Sequence, residues 1–489
     1  MAAIITEKFR VHNARQFKED FSEDLSSTYV FIGRPYSWAD DNSPPAPSNG
    51  VGEEIQAWED MLALKKVLPA DVSHGINRYN WTSGTTYDEY SHDYSATNKT
   101  PATNKDSLYE GRFYVLTDEY HVYKCIRTGR DSSGAVVGSA NKPTGTDVST
   151  LFEGTAADEG GTDGMPYLWK YMYTISASDT IKFVTNDFIP VKTLGALNGI
   201  YGTHTNGGLN SSADNDGSQQ YQVETNAVDG SILHIKVDNP GSGYTDGTYT
   251  SVDIDGDGSL GKCTVKVVSG GLREIDVTTR GSGYKQASID VANIPSIGGG
   301  SGGVATPVIS PQFGHGADPV EELGGNYIIV NSRLEFSEGG GDFPTDNDFR
   351  RIGLCQDPFT FGTTNRSTAT SMTAYKKATL SSIGSLSVDD IVHSAGSDGA
   401  GVAVARIVSI TGNVISYLPI ANSEGGYVDF VAGNTVFKIG TGSIGTINAS
   451  SVINPEVQHH TGRMMYIENR GAVTRASDQI EDIKLIIEM

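Results

Sequence analysis

The pattern that most constrains this chain is an internal repeat. Residues 232–244 read Ile-Leu-His-Ile-Lys-Val-Asp-Asn-Pro-Gly-Ser-Gly-Tyr, and residues 272–284 read Leu-Arg-Glu-Ile-Asp-Val-Thr-Thr-Arg-Gly-Ser-Gly-Tyr. The second copy follows the first at a spacing of 40 residues. Ile235 and Val237 match Ile275 and Val277, two steps apart, which is the period of one face of a strand. Each copy then enters Gly-Ser-Gly-Tyr, where glycine tolerates the positive φ of a tight turn and the tyrosine can fold back over it. Two copies suit one small β domain, because a solenoid needs roughly three or more stacked units.

Glycine is common throughout, 58 of 489 residues, against a usual share of about 7%. Glycine spread this widely predicts many turns and bulges between short strands. Residues 2–12 and 28–33 are expected as strands. The clearest helix is expected at 52–66, where Ile55, Trp58 and Leu62 share a face and Pro69 stops continuation. Residues 112–126 read as a hairpin and 167–175 as a strand. The stretch 196–312 turns rich in Gly, Asn, Ser and Asp. From 359 to 455 the runs 402–408, 414–418 and 435–439 predict a small β-barrel or sandwich. Residues 464–470 and 483–487 read as closing strands. The fold class expected is mainly β with a few helices. A discontinuous core at 1–195, 313–358 and 456–489 is interrupted by inserted β domains at 196–312 and 359–455.

Charge narrows the partners. With 36 basic and 59 acidic side chains the chain carries −23, which repels nucleic-acid backbones and anionic lipid surfaces. Cys125, Cys263 and Cys355 are odd in number and lack C-x-x-C spacing, so three reduced, buried thiols are expected. The segment Met1–Arg10 does not read as a signal peptide, and no run of about 18 apolar residues occurs. Synthesis in a cytosol is expected.

Several stretches imitate sites and fail on a specific residue. Gly256–Cys263 approaches a phosphate-binding loop, but Cys263 stands where the Mg²⁺-binding hydroxyl belongs. Asp253, Asp255 and Asp257 open like a calcium loop whose twelfth position is Thr264; weak capture of a hard cation stays open there. Gly440–Gly445 fits G-x-G-x-x-G without a following helix, and Gly299–Gly303 fits G-x-S-x-G inside a glycine linker. His459 and His460, read as neighbours at a strand entrance, should point to opposite faces and chelate poorly. Tyr87–Tyr94 reads as a contact surface or a mobile polar loop. The reading assigns no catalytic, cofactor-binding or metal residue, and expects no cofactor.

A set of collinear motifs then points to a family. His460–Arg470 and Ala476–Ile487 resemble the C-terminus of a baseplate wedge subunit of T-even-type contractile-tail phages. Ile4–Arg10, Phe31–Trp38, Trp58–Met61, Lys66–Pro69, Trp81 and Val122–Ile126 follow the family's order. So do Tyr167–Tyr171, Thr185–Ile189 and Phe349–Ile352. The resemblance covers 1–195, 313–358 and 456–489, and the two β-rich stretches depart from it as in longer, cyanophage-like members. It implies a β-sandwich core with helical excursions and a non-enzymatic homodimer in the tail baseplate. Its partners would be other wedge subunits, with no nucleic acid, membrane or small-molecule substrate. It also implies a share in the rearrangement at host attachment. The competing reading is a receptor- or glycan-binding fibre protein with the repeat as its binding module; a polysaccharide-degrading enzyme ranks below it.

Overall fold

The computed structural model describes residues 4–23, 26–161, 164–194, 219–336, 338, 341–476 and 478–489. The composition shift near residue 196 lies outside them. The chain is mainly antiparallel β with short helices, as the sequence predicts. It forms two compact units. The first comprises Met1–Lys18, Ser73–Ile329 and Ile486–Met489; the second comprises Glu19–Val72 and Val330–Leu485.

In the first unit the expected hairpin forms from Tyr114–Leu116 and His121–Arg127, and the expected strand Leu168–Thr174 pairs beside it. Both faces of this sheet are covered. Tyr114, Leu116, Val122 and Met172 enter one apolar cluster, while Val115, Tyr123, Cys125 and Trp169 enter another. Double burial is why these strands read as continuous apolar runs rather than as alternation.

A helix, α1 (Glu7–Asp20), replaces the strand expected at 2–12. Thr6 caps it by accepting the Phe9 N–H at 3.3 Å, and Glu7 stands in the first turn. Val11 and Ala14, three apart, are its buried residues, and Val11 joins Ile76 and Ile189 in the core. The alternation seen in the sequence was too short to outweigh this cap and spacing.

The irregular stretch around residues 80–166 is held by buried carboxylates. Asp88 accepts the N–H groups of Ala102, Thr103 and Arg112 at 2.8–3.0 Å. Glu159 accepts those of Ala140, Asn141 and Tyr167 at 2.7–2.9 Å. Each carboxylate satisfies backbone donors that no strand pairs. Within the Tyr87–Tyr94 stretch, Tyr87, Asp88, Glu89, Tyr90 and Ser91 are buried, so most of it is core, while His92 is exposed and Asp93 and Tyr94 are half-buried.

The repeat folds as its pattern predicts. Strands Gly247–Asp253, Lys262–Val268 and Gly271–Thr279 form one antiparallel sheet, and Ile232–Ser242 pairs with Ser301–Ile309. Gly243 and Gly283 take φ of 80° and 76°. Tyr244 and Tyr284 then turn back into a common core with Ile235, Ile275 and Val265. The Tyr244 hydroxyl accepts the Gly303 N–H at 3.0 Å, and the Tyr284 hydroxyl accepts the Gly261 N–H at 3.1 Å. Gly299–Gly303 is not a free linker, since Ser301–Gly303 begins a paired strand. A Cβ on Gly300 would lie 2.3 Å from the Tyr244 ring, so only glycine lets the strand pass there.

The second unit is built on a five-stranded antiparallel sheet. Its order is Ser371–Thr373, Met61–Lys66, Thr28–Gly33, Asn347–Gln356, Arg463–Arg475. The expected strand 28–33 is its fully buried centre. The expected helix 52–66 is corrected: α2 spans Val51–Glu59, and Met61–Lys66 is a strand. Asp60 ends the helix, its carboxylate taking the Tyr36 hydroxyl at 2.6 Å. Met61, Leu62, Ala63 and Leu64 are then sealed on both faces, which a helix with one buried stripe could not achieve.

Residues 376–446 form a six-stranded antiparallel sheet that contains the three runs expected as strands. Its core gathers Ile407, Ile415, Tyr417, Phe430 and Val436. Bridges Lys377–Ile453 and Leu380–Ile447 roll one edge toward the other. Arg463–Arg475 and Glu481–Glu488 form the expected closing strands.

Candidate interaction site

The motifs that imitate sites are taken up by the fold. Lys262 opens a strand and points to Asp253, with Nζ 2.5 Å from the carboxylate. Asp257 accepts the N–H groups of Lys285 and Gln286 at 2.8 and 2.9 Å, and these bonds hold its carboxyl below the usual range. Asp255 lies in the two-residue strand Asp255–Gly256, paired with Ala287–Ser288. Among the described residues no three His, Cys, Asp or Glu groups come together as a metal site. Gly440 and Gly442, with φ of 76° and 106°, turn one strand into the next and not into a helix. Cys125, Cys263 and Cys355 are free and buried, as expected; burial pushes the Cys263 and Cys355 thiols up to about 12, away from reactivity at neutral pH.

Sequence reasoning missed a buried charge centre in the first unit. Lys124, on the strand His121–Arg127, contacts the carboxylate of Glu322 and Nδ1 of His315. The Gly316 N–H donates to the same carboxylate at 2.6 Å, and the Tyr90 ring lies 4.3 Å from the ammonium. All three titratable groups are buried, and burial pulls the His315 imidazole far below its usual range. A neutral His315 accepts from the lysine, so the centre is closed by its own hydrogen bonds. It clamps the short helix Pro319–Glu322 to the sheet. The signal available in the sequence was a lysine inside the apolar run 122–126. Its partners, nearly 200 positions on, were not visible.

In the second unit a cavity of about 390 Å³ is lined by Phe361, Ala374, Pro419, Tyr427, Pro455 and His459, with Glu59, Lys376 and Asp429 supplying charge. The paired histidines stand at its wall, and their expected opposition is corrected. His460 has φ of 59°, and this turn sets both imidazoles against Trp58, at 6.2 and 6.4 Å between centroids. His459 Nε2 donates to the Ala374 carbonyl at 2.7 Å, and burial pulls its pKa down to about 4. His459 is thus neutral at pH 7 and serves as a packing group. The cavity is apolar with a few placed polar groups, the character of a recognition pocket.

Comparison with known proteins places these features in context. The family model described as Bacteriophage T4, Gp8 matches residues 3–229. The baseplate wedge protein gp8 of Enterobacteria phage T4 is 25% identical over 201 residues, covering 39% of this chain. The match spans 60% of that relative's length. The motifs Phe31–Trp38, Trp58–Met61 and Tyr167–Tyr171 fall within the family match, and the C-terminal motifs lie beyond it.

Proposed function

We propose that this chain, whose residues 3–229 match the family model described as Bacteriophage T4, Gp8, is a structural subunit of a phage tail baseplate wedge. The observation that carries this reading is the run of family motifs in their order, together with the wedge protein of phage T4 as a relative. The protein acts by assembly: it is made in the host cytoplasm, joins other wedge proteins in the virion's tail baseplate, and takes part in the rearrangement at host attachment. It acts without turnover, as a homodimer. The closed charge centre around Lys124 and the sealed thiols fit a protein selected for packing rather than reaction. We further propose that 196–312 and 359–455 are insertions in a core formed by 1–195, 313–358 and 456–489.

The test is the native mass of the purified chain by light scattering. A species near twice the 52.1 kDa of one chain supports the proposal. A stable trimer would overturn it in favour of a fibre protein.

A further inference from the structure

Helix α2 buries its C-terminal end and leaves its first turns exposed. Ala57 and Trp58 point into the core, whereas Val51 and Ile55 are 72% and 43% exposed. Val51, Ile55 and Glu59 lie at steps of four and form one stripe along the helix. The stripe ends at the cavity described above, because Glu59 is part of its wall. There the Tyr427 hydroxyl donates to Glu59 at 2.7 Å, which pins a ring that is itself 55% exposed. The exposed apolar residues of the stripe thus run toward a cavity whose wall combines the Tyr427 ring with the Glu59 carboxylate, an apolar anchor site beside charge.

The charge at its border is one-sided. Glu54, beside Ile55 on the helix, is exposed. Glu59 and Asp429 line the cavity, where Lys376 balances a single carboxylate through a 2.5 Å pair with Asp429. Three carboxylates against one ammonium favour a cationic group seated beside an apolar anchor. A second copy of this acidic chain matches that border poorly, since the sequence carries −23.

We propose that the outer stripe of α2 and the cavity beside Tyr427 dock a segment of another baseplate wedge protein, one that carries a large apolar anchor next to a lysine or arginine. This rests on the wedge reading and names the surface through which the chain joins its neighbour.

The test uses the full chain, co-expressed with the other wedge proteins of the same phage, with association measured at low and high salt. Ile55→Asp and Tyr427→Ala are each expected to weaken association at least about tenfold. Glu59→Lys is expected to weaken it most at low salt. The native mass and melting temperature of each isolated variant are expected to stay those of the parent, as Ile55 is exposed. Unchanged association in Ile55→Asp and Tyr427→Ala, with the parent assembling, overturns this surface and leaves the wedge reading standing. A lower native mass in the isolated variants assigns the surface to a second copy and overturns the proposed occupant. A parent chain that joins none of the wedge proteins overturns the wedge reading and this inference with it.

Discussion

At the scale of single residues, the fold depends on side chains whose partners are backbone groups. Tyr284 accepts the Gly261 N–H and donates to the Ile254 carbonyl at 2.9 Å, inside the repeat's core. Tyr284→Phe keeps the ring and orphans both groups, so it should cost about 1–3 kcal/mol, read as a lower denaturant midpoint with unchanged slope. His459 gives a pH-dependent counterpart. Its folded pKa of about 4 lies below the unfolded value near 6.5. Between these values the unfolded chain binds more protons, so stability falls as pH drops through the window and levels off below it. His459→Gln should flatten that fall by about 3 kcal/mol when unfolding is followed from pH 7 to pH 4. The repeat tyrosines were legible, because Gly-Ser-Gly-Tyr encodes both the turn and the group that folds over it. The roles of Asp88 and Glu159 were not, because carboxylates that collect backbone N–H groups look like any surface acid.

At the scale of elements, what decided each outcome was how many faces an element buries. The hairpin at 114–127 and the strands after residue 402 were legible because apolar runs between glycine turns leave little alternative. The segment 52–66 was half legible. Its acidic start and Trp58 mark a helix, but Met-Leu-Ala-Leu is buried all round and belongs to the sheet. Leu64→Ala should therefore cost about 2–5 kcal/mol, while Ile55→Ala should cost less than about 1 kcal/mol, in chemical denaturation of the two variants. Equal costs would mean that Ile55 is buried as fully as Leu64, against the exposure of the first turns of α2. The N-terminal helix carries its signals in Thr6 and Glu7, but the short alternation at 2–12 imitates a strand. The histidine pair was missed in geometry for a related reason: a positive φ at His460 undoes the side-chain alternation of a strand.

At the scale of the whole molecule, no single residue carries the function. The family match over 3–229 and the phage T4 relative bear on assembly. The chain's acidity, its closed charge centre and its buried thiols fit the proposed structural role. The candidate surface on α2 could not be read from sequence, because Val51 and Ile55 look like core residues until burial is seen to be confined to Ala57 and Trp58 at the end of the helix. The most direct test of the central claim withholds this chain from an infection and images the particles by negative-stain electron microscopy. The account predicts tails without complete baseplates, restored when the chain is supplied in trans. Complete, contraction-competent tails formed in its absence would contradict it.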